Sequence, residues 1–137
     1  MTFTPAVGFA GVATFGYTIS NGFSNASTTV TVTVGPPAAA TVKDFTVPTG
    51  CAAAGEVCGI CFDNYISNPS NLTLTFSVSP TSTGGGKVNI QAIGGCTNGA
   101  VYTSSSTSTS GTTDTFTFSV QDNYNRMSTG TTTVILN

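Results

Sequence analysis

The chain has 137 residues, with three Lys or Arg, five Asp or Glu and no His, for a net charge of -2. So few cations exclude a nucleic-acid surface, which needs clustered Lys and Arg against phosphates, and no run of about 18 apolar residues is present to span a bilayer. Its polar surface comes instead from 27 Thr and 15 Ser, a composition that favours strands and suits an extracellular structural protein better than a freely diffusing enzyme.

Met1 is not followed by a basic and then an apolar segment, so no secretory signal is visible, and any export signal is expected outside this sequence. Phe15, Tyr17 and Ile19 alternate with polar or small residues, and Val30, Val32 and Val34 alternate with Thr29, Thr31 and Thr33. That period of two marks strands with one buried and one wet face. Gly35-Pro36-Pro37 and three alanines follow, reading as a stiff, extended linker. Beyond it, seven strands are expected near 43–47, 56–62, 72–78, 87–93, 100–103, 114–120 and 130–136. Turn signals at Asn68-Pro69-Ser70, Gly84-Gly85-Gly86, Asn98-Gly99 and Asp122-Asn123 separate them. The expected core is Phe45, Ile60, Leu72, Leu74, Phe76, Val88, Ile90, Tyr102, Phe116, Phe118, Val120, Val134 and Leu136. No helical period is sustained. The pattern predicts an all-β, immunoglobulin-like antiparallel β-sandwich over 36–137.

An internal repeat places the first residues. Phe15, Tyr17, Ile19, Asn21 and Phe23 match Phe116, Phe118, Val120, Asp122 and Tyr124, and Phe3-Thr4 matches Tyr102-Thr103. Residues 1–35 therefore read as a partial Ig-like unit, the last three strands of a sandwich ahead of a complete one. Its apolar face of Phe15, Tyr17, Ile19, Val30, Val32 and Val34 needs a second sheet. Leaving six such side chains wet forgoes on the order of 10 kcal/mol, comparable to a whole stability margin. The expected partner is another copy or an adjacent repeat of a longer chain, donating strands through main-chain hydrogen bonds. Such a head-to-tail contact propagates into a filament.

The run FTPAVGFAGVATFGYTISNGFSNASTTVTVTV, with GTTDTFTFSVQDNYN and FDNYISNPSNLTLTF, resembles the cadherin-like and Ig-like tandem repeats of large bacterial extracellular surface adhesins and fibres. The resemblance implies a stalk or fibre repeat, and calcium held by carboxylates of those motifs, here Asp63, Asp114 and Asp122. The family's acidic loop has become Asn68-Pro69-Ser70-Asn71, and the first copy has Ala13 and Asn21 at its two acidic positions. Calcium takes six to eight oxygens, so solvated turn carboxylates and no cofactor are the expectation.

Cys51, Cys58, Cys61 and Cys96 make an even set, which in an extracellular sandwich predicts two disulfides. A lone CxxC without His is a poor zinc site. Cys58 and Cys61 point to opposite faces of a strand. That leaves Cys51–Cys58 with Cys61–Cys96, the preferred pairing, or Cys51–Cys61 with Cys58–Cys96. Asn25 and Asn71 stand in N-glycosylation sequons, and the Ser/Thr run including Ser104, Ser105, Ser106, Thr107 and Ser108 has the composition of an O-glycosylated loop. Catalysis is not expected: His is absent, and Asp114 and Asp122 sit at opposite ends of one strand. A Lys43–Asn137 cross-link near Glu56 is a minor possibility. The alternative function is a carbohydrate-binding Ig-like module, with Phe23, Tyr65 and Tyr124 as its only platforms. Phe23 and Tyr124 occupy matching turn positions, which argues for packing.

Overall fold

The computed structural model describes residues 2–137; Met1, the first residue of the expected partial repeat, lies outside the described residues. Among those residues the elements are strands and one 3-10 turn at Asp63–Tyr65, as the period-two alternation predicts. The chain divides into a unit ending at Ala38 and a unit Ala39–Asn137. Pro36-Pro37 thus closes the first unit rather than opening the second.

The first unit is a hairpin of β1 (Gly11–Ser20) and β2 (Asn25–Val34). Its register pairs Gly11 with Val34, Ala13 with Val32, Phe15 with Val30, Tyr17 with Thr28 and Ile19 with Ala26. Directly opposed residues share a face, so Phe15, Tyr17, Ile19, Val30, Val32 and Val34 form one apolar face. The turn is held by Asn21, whose side-chain oxygen accepts from the amides of Phe23 and Ser24 at 3.0 and 2.9 Å, an Asx turn. The third strand expected at Phe3-Thr4 is not formed. Its counterpart around Tyr102 is a central strand paired on both sides, and the first unit contains no strand to flank Phe3.

The second unit is a two-sheet sandwich. One sheet has the order β4 (Phe45–Thr46), β11 (Met127–Ile135), β10 (Thr113–Asp122), β7 (Leu74–Val78). The other has the order β5 (Val57–Cys61), β9 (Gly99–Thr103), β8 (Lys87–Ile90). A short pair, β3 (Thr41–Val42) with β6 (Ile66–Ser67), completes the set. The Gly84-Gly85-Gly86 signal is a tight turn, closed by the Gly85 amide on the Ser82 carbonyl at 3.2 Å. It closes a short hairpin, in which Thr81 bridges Lys87 and the Ser82 and Val88 amides donate to the Gly86 and Pro80 carbonyls at 3.0 Å each; β7 and β8 themselves lie in different sheets, so the chain changes sheets there.

Aromatic rings bind the sheets together. Phe62 packs against Phe118 at 4.9 Å, Phe76 at 5.1 Å and Phe45 at 5.5 Å between centroids. Such pairs add about 0.5–1.5 kcal/mol each beyond burial. Nine of the thirteen expected core residues are buried, while Leu72, Leu74 and Phe76 are half-buried. Ile90 faces the core by register but is 58% exposed, because it ends an edge strand. Phe62, Val47, Ala100 and Cys51 are buried as well; Phe62 and Val47 lie just beyond β5 and β4 but continue the inward alternation of Ile60 and Phe45.

Thr132 is fully buried, and its hydroxyl has no hydrogen-bond partner. An unpaired buried hydroxyl costs about 1–3 kcal/mol. Thr132→Val keeps the shape and removes that cost. It is expected to stabilise the second unit by about 1 kcal/mol, read as a higher urea midpoint at unchanged slope.

Candidate functional site

The two units contain the same hairpin in opposite circumstances. Ladder register equates Phe15, Tyr17 and Ile19 with Phe116, Phe118 and Val120, and Val30 and Val32 with Thr132 and Val134. Continuing the ladder equates Val34 with Leu136. In the second unit all six are between 0% and 3% exposed. In the first unit Tyr17 is 41% and Ile19 64% exposed, and the other four are half-buried. Ring geometry carries the equivalence further: Phe3 stacks on Phe15 at 6.1 Å and 8°, and Tyr102 on Phe116 at the same 6.1 Å and 8°. Phe3 thus holds the place of Tyr102 without a strand around it.

The copies differ where Tyr102 meets Asp114. The buried Asp114 carboxylate accepts from Tyr102 Oη at 2.7 Å, the Gly84 amide at 2.6 Å, Thr83 Oγ1 at 3.0 Å, the Thr115 amide at 2.8 Å, and Ser82 Oγ. Burial pushes its pKa up, but bonds from Ser82, Tyr102, Gly84 and Thr83 outweigh burial and hold it below the usual carboxylate value. Burial and the neighbouring carboxylate push the Tyr102 phenol up. The first unit has Phe3 and Ala13 instead, so phenol and carboxylate are lost together. This clamp escaped the sequence reading, although the paired replacement between the copies was the available signal.

The other calcium candidates are likewise engaged by the chain itself. Asp63 accepts from the Thr97 and Asn98 amides at 2.7 and 2.9 Å and from Asn98 Nδ2 at 2.9 Å. Asp122 accepts from the Tyr124 and Arg126 amides and pairs with Arg126 Nε at 2.8 Å. In both, desolvation raises the pKa and these bonds more than reverse it, so both sit below the usual value. The structure does not bring Asp63, Asp114 and Asp122 together. Among the described residues the one grouping of three metal-type ligands is Cys61, Asp63 and Cys96, and its two sulfurs are joined in a disulfide. A cleft beside Asp63, lined by Ile66, Asn68, Leu72, Leu74, Thr97 and Asn98, borders polar groups already bonded to one another.

The disulfides are Cys51–Cys58 and Cys61–Cys96. With sequence separations of 7 and 35 residues, the chain-entropy model gives about 2.5 and about 4 kcal/mol. The first ties the continuation of β4, which runs alongside the end of β11, to β5, and so links the sheets. The second fastens the loop before β9 to the outer face of β5, where Gly59 and Gly99 leave room for Ile93: a Cβ on either would come within 2.9 or 2.8 Å of it.

Two expected modification sites are corrected. Ser104 is buried, accepting from the Gly55 amide at 3.0 Å. Ser108 is half-buried between the Ser105 carbonyl and the Ala54 amide. The Ser/Thr run begins directly after β9, and its first hydroxyl serves the fold. Ser105 is half-buried, and Ser106 and Thr107 are exposed, as are Asn25 and Asn71. Lys43 and Asn137 do not meet: Phe45 pairs with Thr132 while Cys51 bridges Leu136, which places them at opposite ends of that ladder. Among the aromatic platforms, Tyr65 stacks on Phe45 at 3.7 Å, and Arg126 lies over the Tyr124 ring at 5.2 Å. Phe23 is fully exposed, so its match to Tyr124 does not signify packing. Its turn is one residue shorter, without the Arg.

No family model matches the chain, and no curated protein matches it. Among solved structures, the endo-fucoidan hydrolase MfFcnA4 from glycoside hydrolase family 107 is similar at a TM-score of 0.39 and 18% identity, over 97% of this chain and 20% of that one. A likeness of that order carries no argument about activity.

Because folding lowers the Asp114 pKa, its stabilisation is present above the unfolded value near 4 and is lost as pH falls through the lower folded value. Asp114→Asn keeps the shape but presents a donor to the Gly84 amide or the hydroxyls. It is expected to destabilise the second unit by about 2–4 kcal/mol at pH 7. Its melting temperature should also fall less than that of the unmodified protein between about pH 5 and pH 2.5, followed by circular dichroism.

Proposed function

We propose that this chain is a structural segment of an extracellular filament or adhesin stalk, in which strands from outside the first unit complete its sandwich. The observation that carries this is the matched hairpin: six positions buried in one unit stand partly or largely open in the other. Strand order supports the immunoglobulin-like reading, since β10, β11 and β7 share one sheet and β5, β9 and β8 the other, the division of such domains. Two disulfides fit an oxidising compartment. The low charge and hydroxyl-rich surface suit a packed assembly rather than a diffusing catalyst. Asp63, Asp114 and Asp122 each accept several structural bonds from the chain itself, which supports a role without calcium and without catalysis. Ser106, Thr107, Asn25 and Asn71 are the exposed positions at which sugar would sit.

A second reading, a carbohydrate-binding module, is favoured by Phe23 alone, a fully exposed ring at a turn. Glycan-array binding that disappears in Phe23→Ala would carry it.

The first reading is tested with the dilute chain. Amides of β1 and β2 are expected to exchange at least about 100-fold faster than those of β10 and β11, a local difference in opening free energy. An apolar dye is expected to bind, and Tyr17→Ser with Ile19→Lys to abolish that binding without shifting the melting of the second unit. Slow exchange throughout β1 and β2 in a monomer would overturn the reading.

A further inference from the structure

Two asparagines of the chain, Asn21 and Asn98, are followed by glycine. An asparagine so placed can lose its side-chain amide to its own backbone, because glycine carries no side chain to keep its nitrogen away from the preceding Cγ. The two sites sit in opposite surroundings. We propose that Asn21 is a self-modifying site, converted without an enzyme to aspartate or isoaspartate, and that the fold holds Asn98 intact.

The step needs water and nothing else. The Gly22 nitrogen gives its proton to solvent hydroxide and its electron pair to Cγ of Asn21. The Cγ–Nδ2 bond breaks, and the amide leaves as ammonia, taking a proton back from water. A five-membered imide remains, joining Cγ to the Gly22 nitrogen. Water then opens the ring, giving aspartate when it adds to Cγ and isoaspartate when it adds to the main-chain carbonyl.

The surroundings of Asn21 leave that path open. Asn21 and Gly22 are exposed, in the turn beyond the last ladder pair of Ser20 with Asn25. The Asx turn folds the Asn21 side chain back along the chain, its oxygen accepting from the Phe23 and Ser24 amides. That brings Cγ toward the Gly22 nitrogen, and two donors on the oxygen draw electron density from Cγ. The Gly22 amide donates to Ser20 Oγ at 3.2 Å, an exposed contact that water can replace. At Gly22, with φ +88°, nothing lies within 4 Å of the place a Cβ would take.

Asn98 shows the reverse. Its Nδ2 and its backbone amide both donate to Asp63 Oδ1 at 2.9 Å, and its carbonyl accepts from the Phe62 amide at 2.9 Å. Gly99 is buried at the start of β9, opposite Cys61. A Cβ there would stand 2.7 Å from the Gln91 carbonyl oxygen and 2.8 Å from Ile93. Its nitrogen reaches Cγ only after the ladder opens, and the population of that open form scales the rate.

No side chain in residues 1–38 is charged, so loss of the Asn21 amide gives the first unit its first carboxylate. Aspartate suits the turn: at the matching position Asp122 accepts from the Tyr124 and Arg126 amides. Isoaspartate does not, because the chain then runs through Cγ. The oxygen that held Phe23 and Ser24 becomes part of a peptide bond, and the tip of the hairpin gains a backbone carbon.

The test incubates the full chain in mildly alkaline buffer, once folded with its disulfides intact and once reduced and unfolded in urea. Peptide mass spectrometry follows conversion at residues 21 and 98. In the folded chain Asn21 is expected to convert at least about tenfold faster than Asn98, and in urea the two rates are expected to agree within about threefold. Isoaspartate is expected among the products at residue 21, since direct hydrolysis of the side-chain amide does not give it. A smaller preference in the folded chain, or aspartate alone at residue 21, overturns the proposal. So does a difference beyond about threefold in urea, which would make sequence rather than the fold its source. A folded-state rate at Asn21 less than about a tenth of its rate in urea would show that the turn protects the site, and overturns the proposal as well.

Discussion

The Asp114 carboxylate is bonded to both sheets and to the turn that joins them. Asp114 itself belongs to β10, Tyr102 to the facing strand β9, and Ser82, Thr83 and Gly84 to the crossing between β7 and β8. A carboxylate taken out of water is costly unless its lone pairs are filled. The requirement fixes how close the sheets lie and where the chain crosses. The close fit is visible at Gly84 and Gly86: a Cβ on the first would come within 2.9 Å of the carboxylate, and on the second within 2.7 Å of the Tyr102 ring. The glycines of this turn serve proximity as much as backbone freedom.

Removing that interaction changes what a hairpin can be. The first unit keeps the ladder, the Asx turn and the ring stack of the second, but has no polar group that would hold a second layer in place. Its face is mostly apolar, with Tyr17 opposite Thr28 in the ladder, and apolar contact is non-directional.

Much of the second unit was legible because alternation with period two reports which side chains face inward. Phe116, Phe118, Val120 and Val134 announced themselves this way, and so did the shared face of Phe15, Tyr17 and Ile19. Phe62 is absent from the expected core although it continues the alternation of Ile60 within the expected strand 56–62; how central it is comes from rings supplied by three other strands. Ser104 was misjudged by composition, since a run of hydroxyl residues does not show where a strand ends. The role of Asp114 depends on donors roughly thirty residues away in sequence, and no local pattern encodes that. The strand around Phe3 failed to form although its residues match, because a strand is a relation between segments and its partners are missing.

The parallel pairing of the strand Phe45–Thr46 and its continuation through Cys51 with β11 bears on mechanical load. The second unit enters on one of these strands and leaves on the other. Tension applied at its two ends pulls them in opposite directions along their length, and their hydrogen bonds run across that direction. The bonds are then loaded together in shear rather than opened one by one. If the first segment does slip free, Cys51 is tethered to Cys58 in β5, so the released length ends at residue 51 and the force passes into the rest of the sandwich. Resistance to extension in this unit is set by a short ladder and then limited by a covalent stop.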